Sequence, residues 1–159
     1  MITCTLENDK RAYLRHIVVH AIVEKSGCLL LVKRSLNISE SGKWALPGGF
    51  LDRDETLEKG IMRELCEETG WDGVVVSLFR INSNPNRPHE DRQNIAVEYI
   101  IKPIREIGIP DNESSEVAWV PIEKLPPVSA GRRMAFDHGK TIQLYLQYRE
   151  KPFPLPLLV

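Results

Sequence analysis

Apolar and polar residues fall along this chain in two rhythms. His16 to Val23 and Cys28 to Arg34 are apolar, partly β-branched runs. The four residues between them, Glu24-Lys25-Ser26-Gly27, end in a glycine, the pattern of a β-hairpin. Val74 to Ile81 and Ile95 to Ile101 read as two further strands, and Val117 to Val120 as a short one closed by Pro121. The rhythm changes from Thr56 to Thr69, where Leu57, Ile61 and Leu65 recur every four residues, with Met62 and Cys66 widening the stripe. That spacing predicts a helix with one face toward a core, stopped by Gly70. Arg133 to Arg149 carries Met134, Phe136, Ile142, Tyr145 and Tyr148 for packing and predicts a second helix.

Strands flanking one helix, with another helix near the C-terminus, imply an α/β sandwich. At 159 residues and 42% hydrophobic content, residues 1–150 are read as one domain with a sizeable core and no room for a second. Lys151 to Val159 is too apolar for a solvated tail, and Pro152, Pro154 and Pro156 favour an extended segment docked on this subunit or on a partner. With Met1 to Leu14, that tail could support a homodimer.

Composition narrows the function classes. No apolar run approaches a membrane span, and the N-terminus lacks the basic, apolar and cleavage regions of a signal peptide, so the expectation is a cytoplasmic protein without a membrane partner. A net charge of -1 argues against a general nucleic-acid binder. Cys4, Cys28 and Cys66 are odd in number and scattered, which suggests neither a disulfide framework nor a zinc site, and Cys66 lies on the apolar stripe as a packed thiol.

Charge is concentrated in one place. The turn Leu46-Pro47-Gly48-Gly49 allows close backbone approach and leads toward the first helix, where Glu64, Glu67 and Glu68 stand three and four residues apart and so share about one turn. From residue 52 to 68 there are seven acidic and three basic side chains, a local net of -4. Arg63 can pair with Glu67, but one arginine cannot neutralise three carboxylates. Clustered hard oxygen ligands suit Mg²⁺ or Mn²⁺ together with phosphate oxygens. A solvated acidic surface helix accounts for the glutamates alone equally well. The full register is more specific: Gly49, five residues, Glu55, seven residues, Arg63-Glu64-Leu65, Cys66, Glu67-Glu68, Thr69, Gly70, Trp71.

This register resembles the Nudix box, G-x5-E-x7-R-E-U-x-E-E-x-G-U, where U is a bulky apolar residue. Every fixed position matches, with Trp71 standing where an aliphatic residue is more usual. The resemblance implies a mixed, curved sheet between helices and metal-dependent cleavage of a nucleoside diphosphate linked to another moiety, releasing a nucleoside monophosphate. It assigns Glu64, Glu67 and Glu68 as metal-binding carboxylates, the Gly48 carbonyl as a further ligand, and Glu55 and Arg63 as braces between loop and helix. Mg²⁺ is the implied cofactor, with Mn²⁺ as an alternative.

A general base need not lie in the box. Glu113 and Glu116, in the acidic stretch Asp111 to Glu116, are candidates outside it, although a solvated turn explains that stretch as well. Glu98 interrupts an apolar strand and faces either solvent or the site; the site is the reading taken here. The polar segment Asn82 to Asn94 is long enough to be functional. In it Arg87 and Arg92 could clamp phosphates and Gln93 or Asn94 could read a base or ribose, while a solvated hairpin fits the same composition. His89 carries no partner signal. Lys33 and Arg34, ending the second strand, could also meet phosphate.

Met134-Ala135-Phe136-Asp137-His138 is similar to the Ala-Phe-Asp-His sequence near the C-terminus of some ADP-ribose pyrophosphatases, which favours ADP-ribose or a nucleotide sugar as substrate. Two alternatives share the box: a house-cleaning hydrolase of modified nucleoside triphosphates, and a non-catalytic ligand sensor or interaction module.

Overall fold

The chain opens with a small antiparallel sheet of its own, β1 (Ile2–Thr5) against β2 (Arg11–Leu14). Sequence periodicity gave no sign of it, because the runs are short and largely exposed. The computed structural model describes residues 2–87, 93–125 and 133–159. Arg92 and His89, named above, lie outside the described residues, as does Met1.

The main sheet is built around β3 (Ile17–Lys25) and β4 (Cys28–Arg34), joined at Ser26-Gly27. These two strands pair only at their hairpin end, through Glu24 with Leu29 and Lys25 with Cys28. Beyond that point each takes other partners. β4 pairs with β5 (Trp44–Ala45) on one edge and β9 (Ser114–Pro121) on the other. β3 pairs in parallel with β8 (Ile95–Glu106) and antiparallel with β6 (Gly48–Phe50), while β7 (Trp71–Asn82) closes antiparallel on β8. The sheet is therefore mixed and splits into two leaves, and the Pro47–Phe50 turn runs along β3 where they part, held by the Ala21 N–H on the Pro47 carbonyl at 2.8 Å.

Strict alternation along β3 sends its side chains to two cores. Val19, Ala21 and Val23 meet Ile61 and Leu65 of α1 (Leu57–Thr69) on one face. Ile22 meets Phe79, Ile142 and Tyr145 on the other, where α2 (His138–Glu150) packs. This is the expected α/β sandwich with a sheet between helices. Gly70 ends α1 as foreseen, in the left-handed region at φ 73, its N–H on the Cys66 carbonyl; a Cβ there would stand 2.3 Å from the Gly108 carbonyl oxygen.

Two expectations need correction. The second helix begins at His138, not Arg133, because Trp44 pairs with Met134 as a β-bridge and its N–H and carbonyl engage Arg133 and Ala135. Phe136 then turns the chain at φ 46, a conformation that no glycine announces in the sequence. The strand around Val117 to Val120 is also longer, because all of Ser114–Pro121 lies along β4.

The apolar tail docks on its own chain. Phe153, Leu155 and Leu157 pack against the α2-side core, and β10 (Leu157–Leu158) pairs in parallel with β7, where the Ser83 N–H reaches the Val159 carbonyl. Ending the chain at Glu150 should therefore lower the melting temperature by about 5–10 °C, roughly 2–3 kcal/mol of lost burial, without changing the mass measured by light scattering. An unchanged melting temperature would mean that the tail contributes no stability.

Candidate active site

Thr56 starts α1, its Oγ1 accepting the Lys59 N–H at 3.3 Å. With that start fixed, the apolar stripe turns into the core and the acidic face meets the Gly48-Gly49 turn. Gly48 has φ 148, and a Cβ on it would fall 2.0 Å from the Val19 carbonyl oxygen. A Cβ on Gly49 would sit 2.6 Å from the Glu64 carboxyl. Glycine is required at Gly48, wedged against the backbone of a strand, whereas a Cβ on Gly49 would displace the Glu64 carboxyl.

Arg63 connects the loop to the helix. Its Nε and Nη2 donate to Glu55 at 3.1 and 2.6 Å, Nη1 donates to Glu64 at 2.9 Å and Glu67 at 3.0 Å, and Nη2 also reaches the Phe50 carbonyl at 3.1 Å. Glu55 in turn accepts the Asp52 N–H at 2.8 Å. The hydrogen bonds from Arg63, then that from Asp52, hold the Glu55 carboxyl below its usual range.

Glu68 is different. It is only 5% exposed, and its carboxylate accepts the Gly48 N–H at 2.8 Å. Burial pushes this carboxyl up to about 8; the Gly48 N–H and Arg34 oppose the rise, and Glu64 and Asp111 add to it. Burial also raises the Glu64 carboxyl against the pull of Arg63, with Glu67 and Glu113 contributing. Among the described residues no three Asp, Glu, His or Cys side chains stand together as a ready metal site, and Arg63 occupies the Glu64 and Glu67 carboxylates. The donors are nonetheless all oxygen, and Glu68 is a buried carboxylate beside others that a nearby cation would stabilise. The set fits a hard divalent ion.

Beside this acidic face opens a cleft of about 490 Å³, reaching from Gly48, Gly49 and Phe50 to Arg34, Glu113, Arg87 and His138. Arg34 lines it with its guanidinium 5.3 Å from the Phe136 ring and its Nε on the Ser39 carbonyl at 2.8 Å. Glu113 also lines it, on a loop tied down by the Ser35 N–H on its carbonyl and the Asp111 N–H on the Glu67 carbonyl. Arg87 lines it too, but as a buried residue whose Nε and Nη2 bond Asp137 at 3.1 and 2.7 Å. The solvated-hairpin reading therefore fails for Arg87.

Three candidates fall elsewhere. Glu98 reaches neither solvent nor the cleft: it is fully buried and gives both oxygens to Arg80 at 2.8 Å, with Thr141 Oγ1 donating at 2.9 Å. Its strand face is the one covered by α2, so a partner was available inside the core. Glu116 pairs with Lys33 at 3.3 Å and lines a separate groove beside Trp71 and Trp119. Gln93 offers its backbone carbonyl to Arg15, and Asn94 rather than Gln93 lines the cleft.

Residues 14–145 match the NUDIX domain model. The chain belongs to the Nudix hydrolase family. It is 34% identical over 140 residues to an ADP-ribose pyrophosphatase of Methanocaldococcus jannaschii, spanning 87% of this chain and 78% of that protein. It is also 34% identical over 118 residues to a MutT-like protein of Streptomyces ambofaciens, 74% of this chain and 68% of the relative. A NUDIX hydrolase from Nitrosomonas europaea superposes with a TM-score of 0.77 at 25% identity, covering 99% of this chain and 91% of that one. The protein is a Nudix pyrophosphohydrolase acting on a nucleotide-type small molecule, in a family that generally uses divalent metal ions.

Two residues of the Nudix cleft were not singled out by sequence reasoning. His20 sits within an apolar strand and gives no separate signal; His138 stands out only as part of a four-residue resemblance. Both are buried and line the cleft, with ring centroids 4.4 Å apart. His138 Nδ1 accepts the Leu46 N–H at 3.0 Å. Burial, against the pull of Asp137, drives the His138 imidazole down to about 3, with Arg87, Arg34 and Arg80 contributing. A buried histidine with a lowered folded pKa keeps its stabilising effect above the unfolded value near 6.5 and loses it as the pH falls toward the folded value. Between pH 7 and pH 5, wild-type stability in urea should drop by about 2 kcal/mol more than that of His138→Asn, which keeps an acceptor for Leu46. Equal slopes for the two proteins would contradict this assignment.

Proposed function

We propose that this Nudix pyrophosphohydrolase cleaves the diphosphate of a nucleoside diphosphate linked to a sugar, with ADP-ribose favoured, releasing a nucleoside monophosphate and a phosphorylated sugar. The observation that carries this reading is the junction at Gly48-Gly49 of an acidic helix face with a cleft that contains Arg34 and Arg87. Such a junction suits a substrate whose reacting centre is anionic and whose remainder is held at a distance from it. The 34% identity to an ADP-ribose pyrophosphatase over most of both chains supports the choice of sugar.

In this reading Glu64, Glu67 and Glu68, with the Gly48 carbonyl, hold Mg²⁺, for which Mn²⁺ can substitute. Bound there, a divalent ion offsets the charge of the diphosphate and makes water a better nucleophile. Arg63 and Glu55 position the carboxylates. Arg34 faces the substrate phosphates, while Arg87, already paired with Asp137, shapes the cleft wall. Glu113 takes a proton from the attacking water; the new P–O bond forms on one phosphorus as the bridging P–O bond breaks, and the bridging oxygen leaves with the other phosphate.

A Mg²⁺-supplemented panel of ADP-ribose, a sugar nucleotide, a diadenosine polyphosphate and nucleoside triphosphates tests the substrate. The highest kcat/KM should fall on ADP-ribose or the sugar nucleotide; preference for triphosphates would overturn the choice. Glu68→Gln and Glu113→Gln should each lower kcat by about 10²–10⁴-fold with the fold intact by circular dichroism. Full activity in either would remove that residue from the mechanism.

A further inference from the structure

The inner end of the cleft holds a polar group that the hydrolytic roles above do not use. His138 begins α2, directly after Asp137, whose carboxylate is taken by Arg87 and by Asn82 at 2.6 Å. The Leu46 N–H donates to Nδ1, so that nitrogen carries no proton and Nε2 carries it. The His20 ring packs edge-on at 4.4 Å and the Phe136 ring lies 5.8 Å away, which together limit how the imidazole can turn. Nε2 is buried and has no hydrogen-bond partner among the described residues. A buried N–H left unmatched costs about 1–3 kcal/mol, and such a cost is retained where another molecule supplies the partner.

We propose that His138 is a specificity-determining residue: its Nε2–H donates to a substrate atom in the cleft that is a hydrogen-bond acceptor without a proton of its own. Two parts of a nucleotide offer such an atom, a phosphate oxygen and an acceptor on the base edge. The locked tautomer makes the selection. Nε2 can only donate, so an amino group presented at this position finds no acceptor and leaves two donors facing each other. Charge around the site is mixed, with Arg34 and Glu113 lining the same cleft and Arg87 already paired with Asp137, so the tautomer carries the selection. Neutral imidazole, rather than imidazolium, is the form that burial among these arginines enforces.

This inference rests on the nucleotide reading of the cleft, and equilibrium binding separates the two. Adenosine, ribose 5-phosphate and AMP, none with a diphosphate to cleave, are titrated calorimetrically into wild type, His138→Asn and His138→Gln with Mg²⁺ present. Asparagine keeps an acceptor near the Leu46 N–H and removes the outer donor; glutamine keeps a donor near the Nε2 position and gives up the Leu46 contact. His138→Asn should bind AMP about tenfold more weakly than wild type without a fall in melting temperature, and His138→Gln should recover most of that loss. If the loss appears with adenosine the acceptor is on the base, and if with ribose 5-phosphate it is a phosphate oxygen. Wild-type affinity in His138→Asn would overturn the proposal, even with ADP-ribose turned over. Equal losses in both variants accompanied by a fall in melting temperature would also overturn it, as would a wild type that binds none of the three. Failure of ADP-ribose as substrate, with the His138 effect on AMP present, would leave the inference standing and remove only the assigned substrate.

Discussion

The site depends on one guanidinium. Arg63 lies on α1, yet its donors reach Phe50 at the end of β6 and Glu55 in the loop that follows, as well as Glu64 and Glu67 on its own helix. Removing it would leave Glu64 without its counter-charge beside Glu67, where burial already raises the Glu64 carboxyl. Glu55 also stands where a Cβ on Gly60 would come within 2.8 Å of its Oε1, so loop and helix are in direct contact at that point. A planar group with five donors can meet this many oxygens at once, which a single ammonium cannot.

The cleft arises from a similar constraint in the sheet. β3 and β4 share only two paired positions before diverging, and β6 takes the edge of β3 that β4 leaves. That pairing places Gly48 beside His20 and Gly49 beside Val19, bringing the glycine turn against the strand that faces both helices. α1 brings carboxylates to one side of the opening. The start of α2 brings His138 to the other, set by Phe136 and by the ion pair of Asp137 with Arg87. Beneath them, Glu98, Arg80 and Thr141 form a buried network that joins β7 and β8 to α2 without entering the cleft.

Local order was legible where side-chain period and backbone agree. The four-residue spacing of Leu57, Ile61 and Leu65 found α1, and the fixed register from Gly49 to Trp71 identified the helix that bears the carboxylates. What escaped depends on contacts between residues distant in sequence. Glu98 announced that something unusual interrupted an apolar strand, but its partner Arg80 lies 18 residues away and Thr141 lies 43 away. His20 gave no signal because a neutral buried imidazole sits in a strand as an apolar residue does. The start of α2 was misplaced because Arg133 to Ala135 pairs with Trp44, a bridge that periodicity cannot show.

Arg63→Lys tests most directly the claim that Arg63 organises the carboxylates of α1 and the preceding loop through its geometry rather than through charge alone. Lysine preserves the charge and loses the planar fork. In a Mg²⁺-dependent assay of ADP-ribose hydrolysis, kcat/KM for Arg63→Lys should fall by roughly 10²-fold and resemble that of Arg63→Ala, while circular dichroism stays native. Near wild-type turnover in Arg63→Lys would contradict the account and leave Arg63 as a counter-charge only.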